Sequence, residues 1–68
     1  MSDVDTIKAE VKKLSTQAVQ AKMDLHDLSE ELPTDWQRIP EVATRCHDIH
    51  ARLADARQRL KAATEAGS

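Results

Sequence analysis

The 68-residue chain has no phenylalanine, no tyrosine and a single tryptophan, Trp36. A chain so poor in aromatics has no platform on which bases or flat cofactors could stack. It has one cysteine, Cys46, so no internal disulfide can staple it. No apolar run approaches the ~18 residues that would span a bilayer. The N-terminus lacks the charged-then-apolar pattern of a signal peptide. One free thiol and no export signal lead us to expect a cytoplasmic protein. Neither sign of charge dominates: ten Lys and Arg stand against twelve Asp and Glu, net −2. That balance argues against a general binder of nucleic acid or acidic membranes.

What is present is a pair of heptad ladders. The first is Val4, Ile7, Val11, Leu14, Ala18, Ala21, Leu25, Leu28, Leu32, and the second is Ile39, Val42, Cys46, Ile49, Leu53, Ala56, Leu60, Ala63. Both step by three and four residues without a slip, the seam pattern of packed α-helices. Together they use almost every apolar residue, leaving little from which to build a catalytic pocket. The expected fold is all-α: one domain over residues 1–68, an antiparallel two-helix hairpin of coiled-coil type. Helix 1 is expected at about 3–32, a turn at 33–39 and helix 2 at about 40–66. Each helix of a lone hairpin has only one neighbour, so its apolar residues cannot be fully buried. Chains this short usually need staples or self-association. A homo-oligomer, in the form of a four-helix bundle, is therefore expected.

Ser2 or Asp3 can cap the first helix, with Asp5 well placed in its first turn. Pro33 ends it, because the residue before a proline is pushed out of the α region. Thr34 and Gln37 have capping-box spacing, so a helical turn can begin at Asp35. Pro40 then opens the main second helix, with a kink possible at the join. Gly67 is a natural stop.

The flanking charges indicate how the helices meet. With Val4, Val11, Ala18, Leu25 and Leu32 as position a, the g positions of the first helix are Asp3, Glu10, Gln17, Asp24 and Glu31. With Ile39, Cys46, Leu53 and Leu60 as a, the g positions of the second are Arg38, Arg45, Arg52 and Arg59. In an antiparallel pair g faces g, so acids face arginines. One consistent register layers Leu32 with Val42, Leu28 with Cys46, Leu25 with Ile49, Ala21 with Leu53, Ala18 with Ala56 and Leu14 with Leu60. It pairs Glu31 with Arg45, Asp24 with Arg52 and Gln17 with Arg59. The opposite flank, position e, carries Lys8, Ser15, Lys22 and Ser29, then Ala43, His50, Arg57 and Thr64. Its small side chains would let another helix approach, so it is the expected dimer or partner face.

Three segments could carry chemistry. Cys46, His47 and His50 offer zinc, copper or nickel ligands at helical spacing. Cys46, however, sits on the apolar ladder, where a free cysteine acts as a small hydrophobe, so no metal or cofactor is expected. In the segment Lys22 to Leu28, polar residues surround Leu25 and Leu28, and His26 and Asp27 point outward at b and c, on a helix face that is either solvated or a docking surface. Trp36 either caps the bundle end over Leu32 and Ile39 or anchors a partner, as tryptophan often does. No nucleophile, base and oxyanion donor share a concave site, so no catalysis is expected. The Arg stripe faces its own acidic partners. Although hairpin dimers of the Rop type bind RNA loops, no nucleic-acid or membrane partner is expected here.

The run Val11-Lys12-Lys13-Leu14, then Ala21-Lys22-Met23-Asp24-Leu25-His26-Asp27-Leu28-Ser29-Glu30-Glu31-Leu32-Pro33-Thr34-Asp35-Trp36 and Ile39-Pro40-Glu41-Val42-Ala43, resembles a small Rop-like family encoded beside nitrogen-fixation genes and labelled NifX-associated. The His26, Pro33 and Trp36 positions are not dictated by a heptad. The resemblance implies a self-associating helical hairpin in diazotrophic bacteria. It also implies a role in nitrogenase assembly, cofactor maturation or protection, with no enzymatic activity; we expect a non-enzymatic accessory that docks on the molybdenum–iron protein of nitrogenase or on its cofactor-maturation machinery. The Met23–Trp36 stretch is the part most recognisably shared. Lys22, Met23, His26, Asp27 and Trp36 are accordingly the expected partner-binding residues. Two other readings are a metal- or iron-handling protein using its His and Cys side chains, and a purely structural oligomerisation module.

Overall fold

The computed structural model describes residues 3–67, with side chains over 3–65. Helix α1 runs Asp3–Glu31 and helix α2 runs Ile39–Gly67, antiparallel and joined by a single 3-10 turn at Trp36–Arg38. Asp3 and Asp5 lie in the first turn of α1, where the helix dipole favours acids; Ser2 lies outside the described residues. The hairpin is a rod of 51 × 15 × 13 Å. Its radius of gyration is 15.5 Å, against about 11 Å for a globule of this length.

The turn is built from backbone hydrogen bonds. Thr34 N–H donates to the Glu31 carbonyl at 3.0 Å, Trp36 N–H to that of Pro33 at 3.4 Å and Arg38 N–H to that of Asp35 at 2.9 Å. Asp35 takes φ 59°, ψ 26°, a left-handed conformation that Asp tolerates better than most side chains. The expected capping box does not form: Asp35, not Thr34, holds the N-cap position, without a side-chain cap. Helix α2 starts one residue before Pro40 and is continuous. Pro40 lies in its first turn, where a missing N–H has no carbonyl to serve.

Among the described residues seven apolar side chains are buried: Leu14, Ala18, Ala21, Leu28, Val42, Leu53 and Ala56. Leu14, Ala18, Leu53 and Ala56 form one cluster, with Val11 and Ile49 packed on it. Three of the seven are alanines, so the helices can approach closely at those layers. Among the described residues, no polar side chain is buried.

The flank assignment holds, but the register differs from the expected one. Arg45 meets Asp24 at 3.6 Å instead of Glu31, and Arg59 meets Glu10 at 2.9 Å instead of Gln17. Both arginines find an acid one heptad earlier on α1 than expected. The core shifts as well. Leu28 and Val42 line one small cavity together, where Leu28 was expected opposite Cys46, and Leu14 clusters with Ala56 rather than Leu60. The cause is the turn. Because α2 starts at Ile39, Glu31 and Ile39 stand at the facing helix ends, and Leu32 falls outside the seam.

Candidate docking surface

Lys22, Met23, His26 and Asp27 occupy the outward side of α1 in its last three turns, and all four are exposed. Their placement follows from the seam. Ala18, Ala21 and Leu28 turn toward α2 and are buried, which turns these four out. Met23 is 54% exposed, and Val19, one turn earlier, is 57% exposed. Val19 belongs to neither ladder and was not among the expected docking residues. Its signal was a large aliphatic residue off the ladder.

His26 sits between two carboxylates: Nδ1 is 3.7 Å from Asp27 and Nε2 is 3.3 Å from Glu30. The Ser29 hydroxyl donates to the His26 carbonyl at 2.7 Å. These contacts orient the imidazole on an open face with acidic neighbours.

Trp36 stands at the closed end and is 59% exposed, with Leu32 at 40% and Ile39 at 37%. A tryptophan sealing the bundle end would be buried over those two residues. In the single hairpin Trp36 therefore does not seal the end, and an apolar surface lies around the turn. Leu32 and Ile39 belong to the ladders by spacing, yet they lie at the rim.

The acid–arginine flank, position g, is held by polar contacts. Arg59 donates across to Glu10 at 2.9 Å and along its own helix to Asp55 at 3.1 Å. The hydrogen bond and charge of Glu10 hold its guanidinium pKa above the ordinary value. An open groove of about 670 Å³ lies on this side, with Ala21 and Ile49 beneath Gln17, Asp24, Arg45 and Arg52. On the other flank, Ser15 and Ala43 are half-buried.

Cys46 is a half-buried free thiol. His47 contacts Asp48 at 3.3 Å, and His50 is exposed. Among the described residues, no three His, Cys, Asp or Glu side chains converge where they could hold a metal ion. No helix among them is long and apolar enough to cross a membrane.

The family model described as Rop-like matches residues 2–65. The chain belongs to the Rop-like family. It is 59% identical over 61 residues to a UPF0437 protein of Azorhizobium caulinodans, covering 90% of this chain and 88% of that one. It is 38% identical over 52 residues to a Frankia alni protein named for its place in the nifX–nifW intergenic region, covering 76% of this chain and 63% of that one. The NMR structure of the Northeast Structural Genomics Consortium target McR1 superposes with a TM-score of 0.84 at 40% identity, over 96% of this chain and 92% of that one. The Rop-like hairpin is thus found in a solved structure of a similar protein, and a nif-region setting is attached to one relative.

Proposed function

We propose that this Rop-like hairpin is a non-enzymatic accessory of nitrogen fixation that docks on the molybdenum–iron protein of nitrogenase or on the machinery that matures its cofactor. The observation that carries the reading is the position of the Frankia relative between nifX and nifW. The outer face of α1 supports it: Lys22, Met23, His26 and Asp27 are held out by a buried seam, with Trp36 exposed at the turn. A rigid surface of this kind stabilises whichever state of a partner it binds best, by mass action.

Tagged full-length protein purified from nitrogen-fixing cells should bring down nitrogenase or maturation subunits. Changing His26 and Asp27 to alanine should remove them while helicity is retained. Metal recovered with no protein partner would favour the metal-handling reading instead. Capture unaffected by the double change would displace the docking face from α1.

Self-association belongs to the same proposal. Val11, Leu25, Cys46, Ile49 and Leu60 remain half-exposed in a single hairpin, and a second copy could cover them in a four-helix bundle. Sedimentation equilibrium at micromolar concentration should give twice the chain mass; a single-chain mass would remove the dimer.

A further inference from the structure

The closed end differs from the rest of the rod in two independent ways. Three of the five exposed large apolar side chains among the described residues, Leu32, Trp36 and Ile39, fall within eight residues of one another at the turn. Charge is also concentrated there. Residues 24–45 hold six carboxylates against Arg38 and Arg45, a net of −4. The whole chain is −2, so everything outside that segment is +2. Arg45 is already engaged by Asp24 at 3.6 Å. Glu30 and Glu31 lie in the last turn of α1, which has no basic residue. That is the negative end of a helix dipole, where acids are disfavoured. Glu30 and Glu31 are thus carried against the preference of α1, while Glu41 lies in the first turn of α2, where the dipole favours an acid.

We propose that the closed end is a docking head for a protein pocket that is apolar at its floor and ringed by lysine and arginine. This rests on the docking reading above and names the partner's chemistry. Trp36, Leu32 and Ile39 supply the apolar anchor, and a tryptophan so placed is the residue type that most often dominates an interface. Glu30, Glu31, Asp35 and Glu41 supply the acidic rim that orients the encounter. The end of the rod is 15 × 13 Å across, comparable with the ~10 Å screening length at 0.1 M salt, so the rim acts as one negative field. Its sign sets this end against phosphate backbones and anionic membranes.

Trp36 is the only tryptophan, so its emission reports on the head directly. The test titrates full-length protein with a short Trp-free amphipathic Leu/Lys peptide and with its Leu/Glu counterpart. The Leu/Lys peptide should give a saturable blue shift, at least about tenfold tighter than the Leu/Glu peptide at low salt and weakening as salt rises. Reversing Glu30, Glu31 and Glu41 to lysine should invert the preference. Reversing Asp3, Asp5 and Glu65 at the far end changes net charge equally and should leave the preference for Leu/Lys in place; circular dichroism checks that both triple variants stay helical. Equal response to both peptides, saturation by neither, or equal change in the two triple variants would overturn the proposal. So would a shift that follows protein concentration without peptide, because a second copy would then be the occupant. Failure here with nitrogenase capture intact removes the head alone. Success here without such capture removes only the proposed partner.

Discussion

Replacing Ala56 by aspartate should unfold the hairpin. Ala56 has no exposed surface and lies in the cluster with Leu14, Ala18 and Leu53. No basic side chain belongs to that cluster. A carboxylate placed there is either buried without a partner, at a cost of several kcal/mol, or forces the helices apart. Small domains have only about 5–15 kcal/mol in total, and a core of seven side chains, three of them alanine, places this one low in that range. Far-UV circular dichroism of Ala56→Asp should show most of the helical signal lost at room temperature. Ala54→Asp is the matched control, because Ala54 is exposed two residues away on the same helix. It should melt within a few degrees of the parent. Similar behaviour of the two variants would mean that Ala56 does not face α2.

Leucines 28 and 32 should differ sharply on truncation, although both are ladder residues by spacing. Leu28 is 3% exposed and lines a cavity with Val42, whereas Leu32 is 40% exposed. Leu28→Ala should cost about 2–5 kcal/mol, and Leu32→Ala less than about 1 kcal/mol. In a domain of this size each kcal/mol moves the thermal midpoint by roughly 4–8 °C, so two melting curves separate them. Equal losses would restore the register in which Leu32 packs on Val42.

That pair of leucines marks the boundary of what could be read from the sequence. The hairpin was legible because the ladders, the proline after α1 and the opposed flank charges all favour one architecture. The register was not. Acids on α1 and arginines on α2 both recur every seven residues, so sliding one helix by a heptad still sets acid against arginine. Asp24 is satisfied by Arg45 as the expected geometry would have satisfied it with Arg52. The choice is made in the turn, by the left-handed Asp35 and the 3-10 segment that brings α2 in at Ile39. Neither is encoded by a glycine or by the Thr34–Gln37 spacing that pointed to a capping box.

The outward position of Lys22, Met23, His26 and Asp27 could be read because it is the complement of the ladder. The exposure of Leu32, Trp36 and Ile39 could not. Hydrophobic spacing identifies which residues are able to enter a seam, but the seam ends where the opposing helix ends. The terminal members of a ladder then have nothing across from them.

The slenderness of the rod has a consequence for where it can act. Two helices folded side by side expose a cross-section of 15 × 13 Å over a length of 51 Å. A sphere of the same residues would stop at the mouth of a narrow crevice. As a single hairpin this shape is slender enough to lead with its tip into such a crevice, whereas two copies packed as a four-helix bundle would be roughly twice as broad, so the number of copies decides how deep the closed end can go.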